Sequence, residues 1–266
     1  MATKYQTLPQ FVLNPFDKAT LVTTDRDKKY NTKYIDSKYK NPVKLAAVLS
    51  VESSYYYLVK VPSDSSEGDL NYDVVIRFFP PSLEIAKESH LRNYYIQFFS
   101  NSPGFMYTYA YVYNKKGFLI TNLYDKLNDQ FLNTPPKKMN RNESLSYDKS
   151  IYFAVHYLSD EMYKLLDKKH AMAFYGTTSE KKFFDMVSSA KSLSYAREIM
   201  KAETDLQKEL AKNPNGSGIK NKLAVVTNKI LKLNPLAKKT GFKTAKIITA
   251  GGKKPKITAR RTTRRK

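Results

Sequence analysis

After Glu209 the chain contains no acidic residue, and positions 210–266 hold seventeen Lys and Arg. Such a segment repels itself, and its final thirty residues have few large apolar side chains. Residues 1–209 carry 29 basic and 24 acidic residues, a surplus of five. The other seventeen of the formal charge of +22 lie in the last 57 residues. The expected organisation is a nearly neutral body with a cationic C-terminal arm suited to a polyanion.

Within the body, the pattern predicts an α+β fold: a mixed or antiparallel sheet domain followed by C-terminal helices and a disordered basic tail. Residues 1–42 read as an extended N-terminal arm, punctuated by Pro9, Pro15 and Pro42. Residues 43–135 read as the sheet domain. Apolar β-branched and aromatic runs at 43–51 and 55–61 flank Glu52, Ser53 and Ser54, a hairpin signal. Further strands are expected at 73–79 and 94–99. Between them, Ser82 is placed to N-cap a helix reaching about Asn93, with Leu83, Ala86 and Leu91 facing inward. The alternation of Phe105, Tyr107, Tyr109, Tyr111 and Tyr113 with smaller residues predicts the strongest strand of the chain, turning at 114–117 and returning at 118–121. A closing helix is expected over 122–133.

Residues 136–212 read as helical. One helix begins at Asp148 or Ser150, with Ile151, Val155, Leu158, Met162, Leu165 and Leu166 on one face, and ends near Gly176. Thr177 and Glu180 have the spacing of a capping box for a second helix running to Lys212. Residues 213–236 are expected to form a linker and a short basic helix. Residues 237–266 are expected to be disordered when free, because their few apolar groups cannot offset the entropy of ordering.

The sequence supports no catalytic signature. It has no cysteine, which removes thiol nucleophiles, disulfides and Cys-ligated metals. His90, His156 and His170 are far apart and lack metal-ligand spacing, so each reads as structural. Phosphate-binding glycine loops and nucleophile elbows do not occur. The expectation is a non-enzyme with no cofactor and no metal. The opening MATKYQTLPQFVLNPF does not read as a secretory signal, and no apolar run approaches the ~20 residues of a membrane span.

Binding is the better-supported role. The candidate nucleic-acid contacts are Lys238, Lys239, Lys243, Lys246, Lys253, Lys254, Lys256, Arg260, Arg261, Arg264, Arg265 and Lys266, spaced by small residues that let each cation reach a phosphate. With no base-reading scaffold in view, the contact should be non-specific, with DNA ahead of RNA. Near the other end, Leu8, Phe11, Val12, Leu13 and Phe16 form an apolar cluster expected to dock on another subunit. Lys28, Lys29, Tyr30, Lys33, Tyr34, Lys38, Tyr39 and Lys40 interleave cations with rings, a pattern open to base stacking or to packing on the body.

At FFSNSPGF (98–105) and YTYAYVY (107–113) the chain resembles structural proteins of tailed bacteriophage virions, as does its Lys-, Tyr- and Asn-rich texture without Cys or Trp. The resemblance implies a capsid, neck or tail component near packaged DNA, located in the virion, with a cytoplasmic or nucleoid-associated location as the alternative. Two other readings stay open: a free non-specific DNA- or RNA-binding accessory protein, and a nucleic-acid-processing enzyme that captures substrate with the arm.

Overall fold

The apolar runs between 44 and 79 become three consecutive antiparallel strands. The computed structural model describes residues 5–17, 25–40, 42–63, 71–136, 140–189 and 205. In it β1 (Lys44–Val51), β2 (Ser54–Pro62) and β3 (Asn71–Phe79) pair in sequence order. β4 (Tyr95–Ser100) adds antiparallel to β3, and the two-residue β5 (Gly176–Thr177) adds parallel to β1. The order β4-β3-β2-β1-β5 makes a mixed five-stranded sheet in an α+β fold. The hairpin turns at Glu52 and Ser53, with φ of 47° and 65°, as a two-residue type I′ connection requires.

The central strands are covered on both faces, which explains their near-continuous apolar runs. Neighbouring side chains of β2 point to opposite sides. Tyr57 donates its hydroxyl hydrogen to the Leu165 carbonyl at 2.6 Å. Tyr56 meets Phe183 and Phe184 at 6.3 and 5.9 Å on the other face. The Tyr57 face is closed by α7 (Lys149–Asp160), whose Ile151, Ala154, Val155 and Leu158 are buried, and by α8 (Met162–Leu165). The Tyr56 face receives α10 (Glu180–Asp185).

Several helices replace what the sequence suggested. Residues 1–42 are not a continuous extended arm. Thr7 and Gln10 form a reciprocal capping box for α1 (Leu8–Leu13), and Pro9 falls in the first turn, where its missing N–H costs nothing. Leu8 and Phe11 are buried in the chain's own core, and Phe11 stacks on Phe98 at 4.9 Å. Val12 and Phe16 are half-buried, and Leu13 is 83% exposed. The cluster assigned to a partner subunit is thus mainly spoken for within the chain. α2 (Asp25–Lys40) follows. Its Tyr34 donates to Asp160 at 2.8 Å and its Tyr30 faces Tyr152 at 5.7 Å, so these rings pack on the body.

The largest correction is at 103–116, where the expected strand is two helices, α4 (Pro103–Thr108) and α5 (Ala110–Lys116). Phe105, Tyr109 and Tyr113 are four apart, a spacing that fits period two and the helical repeat equally. The caps decide between them. Ser102 Oγ accepts from Phe105 N at 3.1 Å, Pro103 opens the first turn, and Gly117 ends α5 at φ 75°. The expected hairpin at 114–117 is this helix end. The chain then bridges Phe98 in parallel through Leu119 instead of returning antiparallel.

Elsewhere long elements are shortened. Ser82 caps α3 (Leu83–Ala86), a single turn whose Leu83 is 84% exposed, while Leu91 is buried beyond it. The closing helix divides into a 3₁₀ stretch, Thr121–Lys126, and α6 (Asp129–Asn133). The helix expected to end near Gly176 breaks into α7, α8 and α9 (Lys168–Tyr175), the last capped by Asp167. Thr177 lies in β5, Ser179 is the true cap of α10, and that helix stops at Asp185. The rest of the expected second helix (190–212, apart from Asp205), the linker, the basic helix, the tail and its twelve cations lie outside the described residues. Among the described residues, no helix is long and apolar enough to cross a membrane.

Two outcomes follow from this architecture. Glu52 and Ser53 hold a left-handed conformation that L-residues resist, so replacing the pair by Asn-Gly should raise unfolding free energy by about 1 kcal/mol in urea melts. A loss would mean that Glu52 or Ser53 makes a contact the turn depends on. The second concerns phenols. Burial raises the pKa of Tyr57 and of Tyr113. Burial, reinforced by donation to Asp160 and to Asp27, raises those of Tyr34 and Tyr147. The folded state therefore keeps protons that the unfolded chain releases above about pH 10. Stability should hold below that pH and fall above it, by about 1.4 kcal/mol per pH unit for each such tyrosine. Tyrosinate absorbance should rise together with the loss of near-UV dichroism; a rise of all phenols before unfolding would contradict it.

Candidate functional site: an aromatic groove between three helices

One wall of the groove, α4, starts at a buried polar cluster. Ser102 accepts from the α4 backbone and donates its own hydroxyl hydrogen to Asp148 Oδ2. Asp148 Oδ1 accepts from Ile151 N at 3.1 Å and so caps α7. Ser150 Oγ lies 2.9 Å from both carboxylate oxygens and 2.8 Å from Ser100 Oγ. One carboxylate, 7% exposed, therefore serves the first turns of two helices. Its charge is offset by hydrogen bonds and by the partial positive charge of helix starts. Gly104 fits this arrangement, since a Cβ there would come within 3.2 Å of Asp148 Oδ2. Serines beside a carboxylate are also ingredients of hydrolytic sites. Here they are buried, Ser102 caps α4, and Ser150 is bonded to the carboxylate that caps α7, so the cluster reads as architecture.

The open surface belongs to the helix that Ser102 starts and to its neighbours. α4, α5, α6 and residues 134–136 enclose a groove of about 570 Å³. Tyr107 and Tyr111 from α4 and α5 face Phe131 from α6 and the Pro135–Pro136 pair. Tyr107 is 63% exposed, and its ring is held edge-on by Phe131 at 4.8 Å. Thr108, Asn128, Gln130 and Thr134 add amide and hydroxyl groups to the lining. Lys115 Nζ sits 5.6 Å from the Tyr111 ring and 2.7 Å from Glu143. Hydrogen bonding and charge from Glu143, with a contribution from Tyr111, raise its pKa and hold it cationic. Among the described residues of 105–145, the cations Lys115, Lys116, Lys126 and Arg141 stand against the acids Asp125, Asp129 and Glu143.

The tyrosine stripe is thus divided by its helices. Tyr113 is buried and donates to the Ser146 carbonyl at 2.8 Å, and Tyr109 is half-buried beside it. Tyr107 and Tyr111 turn to the groove. The sequence reading missed this site because it took period two for a strand. The available signals were the Ser102-Pro103 start and the Gly117 stop, which bracket a helical span.

The other singled-out residues do not converge. His90 Nδ1 accepts from Arg92 N at 3.2 Å, while its Nε2 lies 3.1 Å from the Met162 carbonyl. His156 stacks on Tyr152 at 4.1 Å and His170 on Phe174 at 4.6 Å. Among the described residues no group of three or more His, Cys, Asp or Glu could hold a metal ion. No family model matches the chain, and no curated protein or solved structure shows significant similarity to it.

The cap cluster yields a measurable expectation. Asp148→Ala removes a cap worth about 1 kcal/mol and charged hydrogen bonds to buried hydroxyls, so unfolding free energy should fall by about 2–4 kcal/mol. Asp148→Asn keeps an acceptor for Ile151 N and should lose less. Equal losses in the two variants would show that charge, and not capping, is what the carboxylate supplies.

Proposed function

We propose that this chain is a non-enzymatic structural or assembly protein, a virion component, whose C-terminal arm binds nucleic acid without reading sequence. The observation that carries this reading is the partition of charge: seventeen cations and no acid in 210–266, against a body with a surplus of five. Neutralising phosphates releases condensed counterions, a gain that depends on charge density and not on base identity. The virion placement rests on the sequence resemblance alone. For contacts with other subunits, the burial of Leu8 and Phe11 narrows the N-terminal contribution to the edge around Leu13. Leu83, Tyr163 and Phe174, 84%, 85% and 72% exposed, offer further apolar area.

Deleting residues 237–266 should leave the body's unfolding midpoint unchanged and sharply weaken binding to DNA. In the full chain, about six to ten phosphate contacts would make duplex affinity fall about 10³–10⁵-fold between 50 and 200 mM salt. Affinity flat in salt, or a many-fold preference for one site, would overturn the electrostatic reading. Sedimentation with and without DNA separates an assembly component from an accessory protein: a strict monomer in both conditions would speak for the latter.

A further inference from the structure

We infer that the Tyr107–Tyr111 groove takes unpaired nucleobases, giving the protein a single-strand binding site on its body, distinct from the arm. The inference borrows from the proposed function only the class of ligand. A ring that is 63% exposed yet fixed edge-on by Phe131 presents a platform already ordered before binding. Every base has a face that can stack on such a ring. Asn128 and Gln130 lie on the same lining, and side-chain amides can pair with base edges once the bases are unstacked. The about 570 Å³ of space falls within the usual range of small-ligand sites, enough for one or two nucleotides.

Charge selects among occupants. Rings and prolines could equally line a groove for an extended proline-rich peptide. Lys115, shared between Glu143 and the Tyr111 ring, and the exposed Lys116 in the next position complement a phosphate backbone, which a proline-rich peptide lacks. A duplex keeps its bases stacked and buried, so the groove should engage single strands while the arm accepts both.

The test uses the full chain and two probes, a short oligo(dT) and a duplex of equal length. At about 0.5 M salt, where the arm's contribution has largely gone, Tyr107→Ala should weaken oligo(dT) binding about five-fold or more, and Tyr107→Phe should not. Duplex binding at low salt should be the same in all three proteins. Photocrosslinking of an oligonucleotide carrying 5-iodouracil should attach to Tyr107 or Tyr111 in the unmutated chain, a readout independent of any folding defect. Crosslinks confined to 210–266, or oligo(dT) and duplex affinities that change together in Tyr107→Ala, would overturn the inference. So would saturation of the groove by a proline-rich peptide that oligo(dT) fails to displace. If the unmutated chain binds no duplex even at low salt, the arm reading fails instead, and the response of Tyr107→Ala to oligo(dT) still decides the groove.

Discussion

Asp148 is the carboxylate at which the core cover and the groove wall both begin. It accepts from the first turn of α7 and from the hydroxyl that caps α4. A charge this deeply buried is unfavourable unless its lone pairs are filled, and Ser102, Ser150 and Ile151 fill them. The two helices are therefore set relative to each other by one small, stiff group. α7 then presses Ile151, Val155 and Leu158 onto the sheet, while α4 and α5 present Tyr107 and Tyr111 outward. A shift of that carboxylate would disturb core packing and groove geometry together.

A second buried carboxylate closes the other face. Asp73, with a side chain 2% exposed, takes Lys60 Nζ at 2.6 Å and Ser188 N at 2.7 Å. Asn101 completes the node, accepting from Asp73 N and donating to the Ser188 carbonyl. Lys60 also reaches the Met186 carbonyl at 3.3 Å. The residues that follow α10 are in this way tied to β2 and β3 before the acid-free segment is reached in sequence.

The abundance of tyrosine has two explanations within one molecule. Most of the rings described are structural: Tyr57 and Tyr113 donate to the Leu165 and Ser146 carbonyls, and Tyr34 and Tyr147 donate to Asp160 and Asp27. A phenol suits such places because it fills apolar space and carries one polar atom that finds a partner. Tyr107 differs in being exposed and braced by a ring instead of a hydrogen bond. Composition cannot tell these cases apart, since it records residue types and not directions.

The strands at 44–62, 71–79 and 95–100 were legible because branched and aromatic residues in unbroken runs leave a chain little choice but a buried sheet. The caps at Ser82 and Asp148 were legible for a local reason, since a side-chain acceptor reaches a backbone N–H within the next turn. The aromatic stripe at 105–113 was not, because residues four apart obey both periods and only the partners of each ring break the tie. Nor were the inward turn of Leu8 and Phe11, the breaks between α7, α8 and α9, or the pairing of β5 with β1, each of which depends on surfaces distant in sequence. By itself the sequence determined where charge lies and where the first four strands form, because these follow from local composition and period. Tertiary structure alone decided which tyrosines became core and which became a groove, because burial is a property of neighbours that the fold brings together.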